Sequence, residues 1–185
     1  MTKPAVPSGD WTTPHIPTWK RWLADRIGRE GVHALEVGVC AGNTSEWLCR
    51  NVLTGKDSTL DCVDHWEQYV EEESVFDVRM KDMPARKCKG YSEHVLPRLK
   101  TEGCRYSVIY VDGSHHAENV LFDLVMCWSM LCRGGILFAD DYVLTGRHLR
   151  LPPKLAIDGW LACIADNMQG YEISRCGQVA AWKWS

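Results

Sequence analysis

Three aspartates follow two short apolar runs: Asp112 comes directly after YSVIYV (106–111), and Asp140 and Asp141 come directly after ILFA (136–139). If the two runs are neighbouring strands about 4.8 Å apart, three carboxylates converge in one crevice. Unpaired, they repel one another and raise one another's pKa. A hard divalent cation relieves that repulsion, and an all-oxygen ligand set favours Mg2+, Mn2+ or Ca2+ over zinc. His115 and His116 stand three and four residues past Asp112, within reach of the same crevice. A histidine there is a candidate general base. Each residue also has a plainer role, as a turn cap, a solvated acid or a helix flank. Their coincidence is what favours a metal site.

A second constellation is Leu35-Glu36-Val37-Gly38-Val39-Cys40-Ala41-Gly42-Asn43-Thr44-Ser45. Gly38 permits a turn with positive φ, and Gly42 permits close approach at a helix start. Backbone N–H groups with the Thr44 and Ser45 hydroxyls are placed to hold a carboxylate at that helix N-terminus. A dinucleotide fingerprint needs G-x-G-x-x-G, and Cys40 stands where its second glycine would be. Glu36 adds an anion, which suits an ammonium or sulfonium better than a diphosphate. Asp64 lies 26 residues after Gly38 at the end of another apolar run, where an acid can accept two hydrogen bonds from a ribose diol.

The elements that must position these residues alternate. Strands are expected at 33–39, 59–63, 106–111 and 136–139, with helices at 18–28, 44–53, 92–99, 117–131 and 155–165. Thr18 and Ser92 are the candidate N-caps of their helices. Trp19, Trp22, Leu23 and Ile27 form one helical face, and Leu121, Leu124, Val125 and Trp128 another. Residues 66–89 read as a charged, partly helical stretch, and 171–174 with 178–184 as a terminal hairpin. Such alternation implies a mostly parallel sheet covered on both faces, with ligands outside the carboxyl ends of its strands. Glu36 to Gly42, Asp64-His65, Asp112 to His116 and Asp140-Asp141 all fall there.

The chain has 185 residues, a net charge of −3, 45% hydrophobic and 24% charged residues. This fits one globular domain, expected over 17–185 behind an irregular N-terminal arm at 1–16, and excludes wholesale disorder. No apolar run reaches the ~18 residues of a membrane span, so no membrane is expected as a partner. No secretory signal is expected from a start that holds two prolines and no apolar core before Trp11. The slight acidity gives no footprint for nucleic acid. Nine cysteines include no C-x-x-C pair and read as buried reduced thiols, hence a cytoplasmic setting.

LEVGVCAGNTS (35–45), VDHW (63–66), KGYSEHVLPRL (89–99), YVDGSHHAENVLFDL (110–124) and RGGILFADDY (133–142), in this order, resemble the class I S-adenosylmethionine-dependent methyltransferases. The closer resemblance is to the small O-methyltransferase branch with the macrocin-type sugar O-methyltransferases, methyltransferase domain family 24. It implies an α/β, Rossmann-like, doubly wound, mostly parallel seven-stranded sheet with an antiparallel C-terminal hairpin. It also implies that Glu36, Gly38, Thr44 and Ser45 hold the methionyl end of S-adenosyl-L-methionine. Asp64 would bind its ribose, with His65 alongside, and Tyr91 and Ser92 would flank the adenine. Asp112, Asp140 and Asp141 would hold a divalent metal, with Mg2+ ahead of Mn2+ or Ca2+. Asp112 and His115 would be catalytic. Ala117 departs from the family, which carries an aromatic after the histidine pair.

The expected reaction is methyl transfer to a hydroxyl of a small molecule, a sugar or catechol-like diol, by a protein whose self-association is left open. Three other readings stand beside it. They are a metal-independent methyltransferase acting on a macromolecule, a non-catalytic cofactor-binding module, and a nicotinamide-dependent oxidoreductase.

Overall fold

The computed structural model describes Ala5, residues 10–146 and residues 151–184. Seven strands form one sheet: β1 (His33–Val37), β2 (Thr59–Asp64), β3 (Ala85–Lys89), β4 (Tyr106–Val111), β5 (Leu131–Ala139), β6 (Met168–Ile173) and β7 (Val179–Lys183). Six α-helices accompany them: α1 (Ile16–Trp22), α2 (Asn43–Asn51), α3 (Glu72–Met80), α4 (Ser92–Thr101), α5 (Ala117–Met130) and α6 (Pro153–Ile164). The strand order is β3-β2-β1-β4-β5-β7-β6. The first five strands are parallel, and β7 enters antiparallel between β5 and β6. This is the expected mixed, mostly parallel α/β sheet.

Side chains alternate across a strand, so residue parity sorts the sheet into two faces. Odd-numbered Leu35, Val37, Ile109, Val111 and Leu137 pack with Leu96, Leu124 and Trp160 of α4, α5 and α6. Even-numbered Ala34, Cys62, Val108, Tyr110, Phe138 and Ala180 pack with Trp19, Trp22, Leu48 and Phe76 of α1, α2 and α3. Five of the nine tryptophans, at 19, 22, 66, 128 and 160, are buried, whereas Trp11 and Trp184 are exposed. The tryptophan excess therefore serves mainly the core. Four cysteines, at 49, 62, 88 and 127, are fully buried, but Cys163 and Cys176 are exposed, so the buried-thiol expectation holds for only part of the set.

Several boundaries differ from expectation. Helix α1 starts at Ile16, because Pro17 in the first turn needs no N–H partner, and ends at Trp22. Thr18 is therefore inside the helix, and Ile27 beyond it is exposed. A 3-10 turn at Thr13–His15 replaces part of the expected irregular arm, and residues 1–4 and 6–9 of that arm lie outside the described residues. Ser92 is the first helical residue and Tyr91 the N-cap. On α5 the buried face is Val120, Asp123, Leu124, Cys127 and Trp128, so Leu121 and Val125 are exposed. Residues 66–89 contain an unforeseen strand, β3, of which only Cys88 is buried.

At the amino ends of the strands, buried Asp61 of β2 accepts two bonds from Arg86 of β3, at 2.8 and 2.6 Å, and one from Tyr106 of β4, at 2.6 Å. Three strands are stapled through one carboxylate. Tyr106→Phe removes a donor to a buried acceptor, and we expect it to lower unfolding free energy by about 1–3 kcal/mol in urea denaturation.

Candidate functional site

The parity rule also builds the site. Glu36, Asp64, Asp112 and Asp140 are all even, so they continue the face that carries Tyr110. Val111 pairs with Ala139 in the parallel register, so the next residue of each strand, Asp112 and Asp140, lies side by side as expected. Ala139 pairs with Val179 in the antiparallel register, which sets Gln178 opposite Asp140.

Tyr110 stands between the two acids. Its hydroxyl hydrogen-bonds Asp140 Oδ2 and lies 3.1 Å from Asp112 Oδ2. Gln178 Nε2 donates to the same Asp140 oxygen at 2.9 Å, and the Asp141 N–H donates to Asp140 Oδ1 at 2.7 Å. Asp141 takes a left-handed φ of 62°, and its Oδ2 lies 3.0 Å from His115 Nε2. One ligand atom each from Asp112, His115 and Asp141 lies within 4.8 Å of the others. The structure thus brings together Asp112, Asp141 and His115. It turns Asp140 aside, toward Tyr110 and Gln178. His116 is not in this group and caps α5, its N–H on Ser114 Oγ at 3.2 Å.

The electrostatics follow from this crowding. Burial first, then Asp140 and Asp141, hold the Asp112 carboxyl well above the usual range. The Asp141 contact raises His115. Burial, then Asp112 and Asp140, raise the Tyr110 phenol. Asp112, His115 and Asp141 form a hard oxygen set with one imidazole, which suits a divalent ion.

In the glycine loop, Gly38 has φ +87°, and a Cβ on it would stand 2.0 Å from the Asp112 carbonyl oxygen. Its glycine is required by the neighbouring strand tip. Cys40 takes φ +50°. Asp64 Oδ2 accepts the Val39 and Cys40 N–H groups, each at 2.8 Å, and Oδ1 accepts the Trp66 N–H at 2.8 Å. Asp64 therefore ties down the loop, and of its four lone-pair sites one on Oδ1 is left by these three bonds. Glu36 is 1% exposed and accepts the Ser45 hydroxyl at 2.5 Å. Burial pushes its carboxyl up to about 8, and Asp64 adds to the rise. A cationic ligand would supply the counter-charge this carboxyl lacks. Thr44 Oγ1 lies 3.3 Å from Thr12 Oγ1.

After β2, His65 stacks on Tyr91 with ring centres 4.8 Å apart. Asp123 of α5 is buried, and burial pushes its carboxyl up to about 6. Asp123 Oδ1 is buried without a partner among the described residues.

The sequence reading missed Tyr110, Gln178 and Asp123. Parity with Asp112 was a usable signal for Tyr110, and an acid past the first turn of an apolar helix was one for Asp123. Gln178 had none, because only the antiparallel register places it.

Solved structures share this fold. An O-methyltransferase from Bacillus cereus in complex with SAH superposes with a TM-score of 0.72 at 14% identity, covering 96% of this chain and 84% of that one. The O-methyltransferase TomG from Streptomyces achromogenes, in complex with SAM, gives 0.72 at 15%, covering 97% and 84%. The MycE methyltransferase of the mycinamycin biosynthetic pathway, in complex with Mg and SAH, gives 0.68 at 17%, covering 97% and 52%. The architecture is thus the Rossmann-like methyltransferase fold. A family model described as a methyltransferase domain matches residues 35–142, which is more than half of the chain and includes every site residue named from Glu36 to Asp141; the chain belongs to that family, Methyltransf_24. A curated relative, an uncharacterized protein of Acanthamoeba polyphaga mimivirus, is 23% identical over 123 residues. The match covers 65% of this chain and 56% of the relative, so the chain spans little more than half of its length.

Gly38→Ala combines a strained φ with a clash against backbone. We expect a loss of about 3 kcal/mol or more in urea denaturation. Glu36 should give a pH signature. With the folded pKa raised from 4.5 to about 8, the folded state keeps a proton that the unfolded chain releases. Stability therefore falls as pH rises through that window, by up to about 1.4 kcal/mol per pH unit. Glu36→Gln should remove this slope when denaturation midpoints are compared at pH 5.5 and 7.5.

Proposed function

We propose that the protein is an S-adenosyl-L-methionine-dependent methyltransferase acting on a hydroxyl of a small molecule, a sugar or catechol-like diol. A divalent cation, Mg2+ before Mn2+ or Ca2+, takes part. The observation that carries the reading is the grouping of Asp112, His115 and Asp141 within 4.8 Å at adjacent strand tips, beside a glycine loop in a chain of a methyltransferase family. The proposed domain spans 17–185, behind the arm at 1–16. No helix among the described residues is long and apolar enough to cross a membrane, and neither membrane nor nucleic acid is part of the reading. A cytoplasmic setting and an association of like chains belong to the same proposal.

The cofactor brings an electrophilic methyl group, and the cation, where bound, brings Lewis acidity toward an acceptor hydroxyl. This chain's residues do the rest. Glu36 faces the ammonium and sulfonium charge, while Gly38, Thr44 and Ser45 shape the pocket for the amino-acid end. Asp64 uses its remaining lone pair on the ribose, with His65 alongside. Tyr91 and Ser92 flank the adenine, where the His65–Tyr91 stack offers an aromatic surface. Asp112 and Asp141 would hold the cation, with the Asp140 carboxylate adding negative charge beside them. His115 takes the acceptor proton through the ring nitrogen that Asp141 does not engage, and Asp141 on Nε2 steadies the charge that forms. A vicinal diol offers two oxygens to one cation, which is why that acceptor class is preferred.

Two titrations and one assay test this reading. S-adenosyl-L-homocysteine should bind calorimetrically, and NADH should not. With radiolabelled cofactor, catechol and a panel of monosaccharides should accept methyl groups in Mg2+ and lose that ability in EDTA. Asp112→Ala should keep S-adenosyl-L-homocysteine affinity and lose about 100-fold or more in transfer. No binding of S-adenosyl-L-homocysteine overturns the reading. Undiminished transfer in EDTA and in Asp141→Ala overturns the role of the cation.

A further inference from the structure

We propose that Tyr110 and Gln178 are positioning residues that fix the carboxylates of Asp112 and Asp140, and that they set how tightly this end of the sheet holds a divalent cation. The inference rests on the cation reading above and concerns residues which that reading leaves without a role.

The Gln178 side chain is fully buried and used at both ends. Its Oε1 accepts the indole N–H of Trp19 at 2.7 Å, and its Nε2 lies 2.9 Å from Asp140 Oδ2 and 3.2 Å from the Tyr110 hydroxyl. Trp19 can only donate through that indole, so it fixes which way the amide points. A flipped amide would set its carbonyl against the Asp140 carboxylate and its NH2 against an N–H. Donors therefore face Asp140 permanently.

Tyr110 acts on the same oxygen. Its hydroxyl bonds Asp140 Oδ2 and reaches Asp112 Oδ2 at 3.1 Å. With Oδ2 of Asp140 held by two groups and Oδ1 held by the Asp141 N–H, the plane of that carboxylate is set before any ligand arrives. The phenol oxygen also lies 3.1 Å from Asp112 Oδ2, and its one hydrogen serves one acid at a time, so the orientations of the two acids are coupled. Without this support, Asp140 would be free to turn toward Asp112, and a cation held by Asp112 would have to bind against a second, repelling and unordered carboxylate. Partners of this outer kind are commonly worth 10–100-fold in metal affinity.

The rack spans three parts of the fold, with Trp19 on α1, Tyr110 on β4 and Gln178 at the start of β7. None of the three side chains is in the cation group itself. That separation makes the role testable apart from catalysis.

The experiment uses the full chain and Mn2+ alone, titrated calorimetrically at fixed pH and ionic strength. Wild type, Tyr110→Phe, Gln178→Met and the double variant are compared, with S-adenosyl-L-homocysteine affinity and melting temperature measured alongside. Wild type should bind Mn2+, and each single variant should bind it roughly 10-fold or more weakly, with S-adenosyl-L-homocysteine affinity unchanged. The double variant should lose less than the product of the two, because both groups act through Asp140. Unchanged Mn2+ affinity in the single variants overturns the inference and leaves the cation reading standing. Parallel loss of Mn2+ and S-adenosyl-L-homocysteine binding also overturns it, by showing general damage to the fold. A wild type that does not bind Mn2+ overturns this inference together with the role of the cation. If Gln178→Met does not fold, Tyr110→Phe, which keeps the ring in place, decides alone.

Discussion

Two parallel strands in unshifted register at their tips must end side by side, and here both end in aspartate. Everything distinctive at this end of the strands answers that repulsion. Asp112 is relieved through the Tyr110 phenol, Asp140 through Tyr110 and an amide, and Asp141 through His115. The solution is asymmetric. One acid is turned inward onto neutral donors, and the other two remain grouped with an imidazole, their ligand atoms within 4.8 Å of one another. A cluster held this way is poised for positive charge, since its neutral partners orient the acids without cancelling their field.

The glycine loop shows the same economy. Asp64, at the end of β2, gathers two successive loop N–H groups, and the Trp66 indole takes the Cys40 carbonyl at 2.8 Å. The loop is thus held by side chains of the next strand and its following turn, and Gly38 is pressed against the Asp112 backbone. Glycine loop and acidic cluster therefore share one wall. A shift in either is felt by the other through contact of backbone with backbone, which packed interiors transmit poorly as bending and well as displacement.

Much of this was legible in the chain. The run YSVIYV is β4 residue for residue, and the adjacency of Asp112 and Asp140 followed from the length of the intervening helix. What escaped reading had physical causes. The strand β3, Ala-Arg-Lys-Cys-Lys, lies at the sheet edge and buries one side chain fully, so it lacks the apolar run that marks its neighbours. The start of α1 depended on Pro17 more than on Thr18. Leu121 and Val125 have helical spacing yet face solvent, because α5 is apolar on more than one side and periodicity does not say which side is covered. The three aspartates were read as equals, and only the partners of Asp140, one of them 38 residues away, distinguish it from the others.

The strand that brings Gln178 is made after its neighbours yet sits inside the sheet, between β5 and β6. A ribosome therefore delivers Asp112 and Asp140 well before the amide that restrains them, and β6 has to stand off β5 until β7 arrives. During synthesis the acidic tips wait with one supporting wall absent. Assembly of the centre thus waits on insertion of a single short segment made after the strands on either side of it.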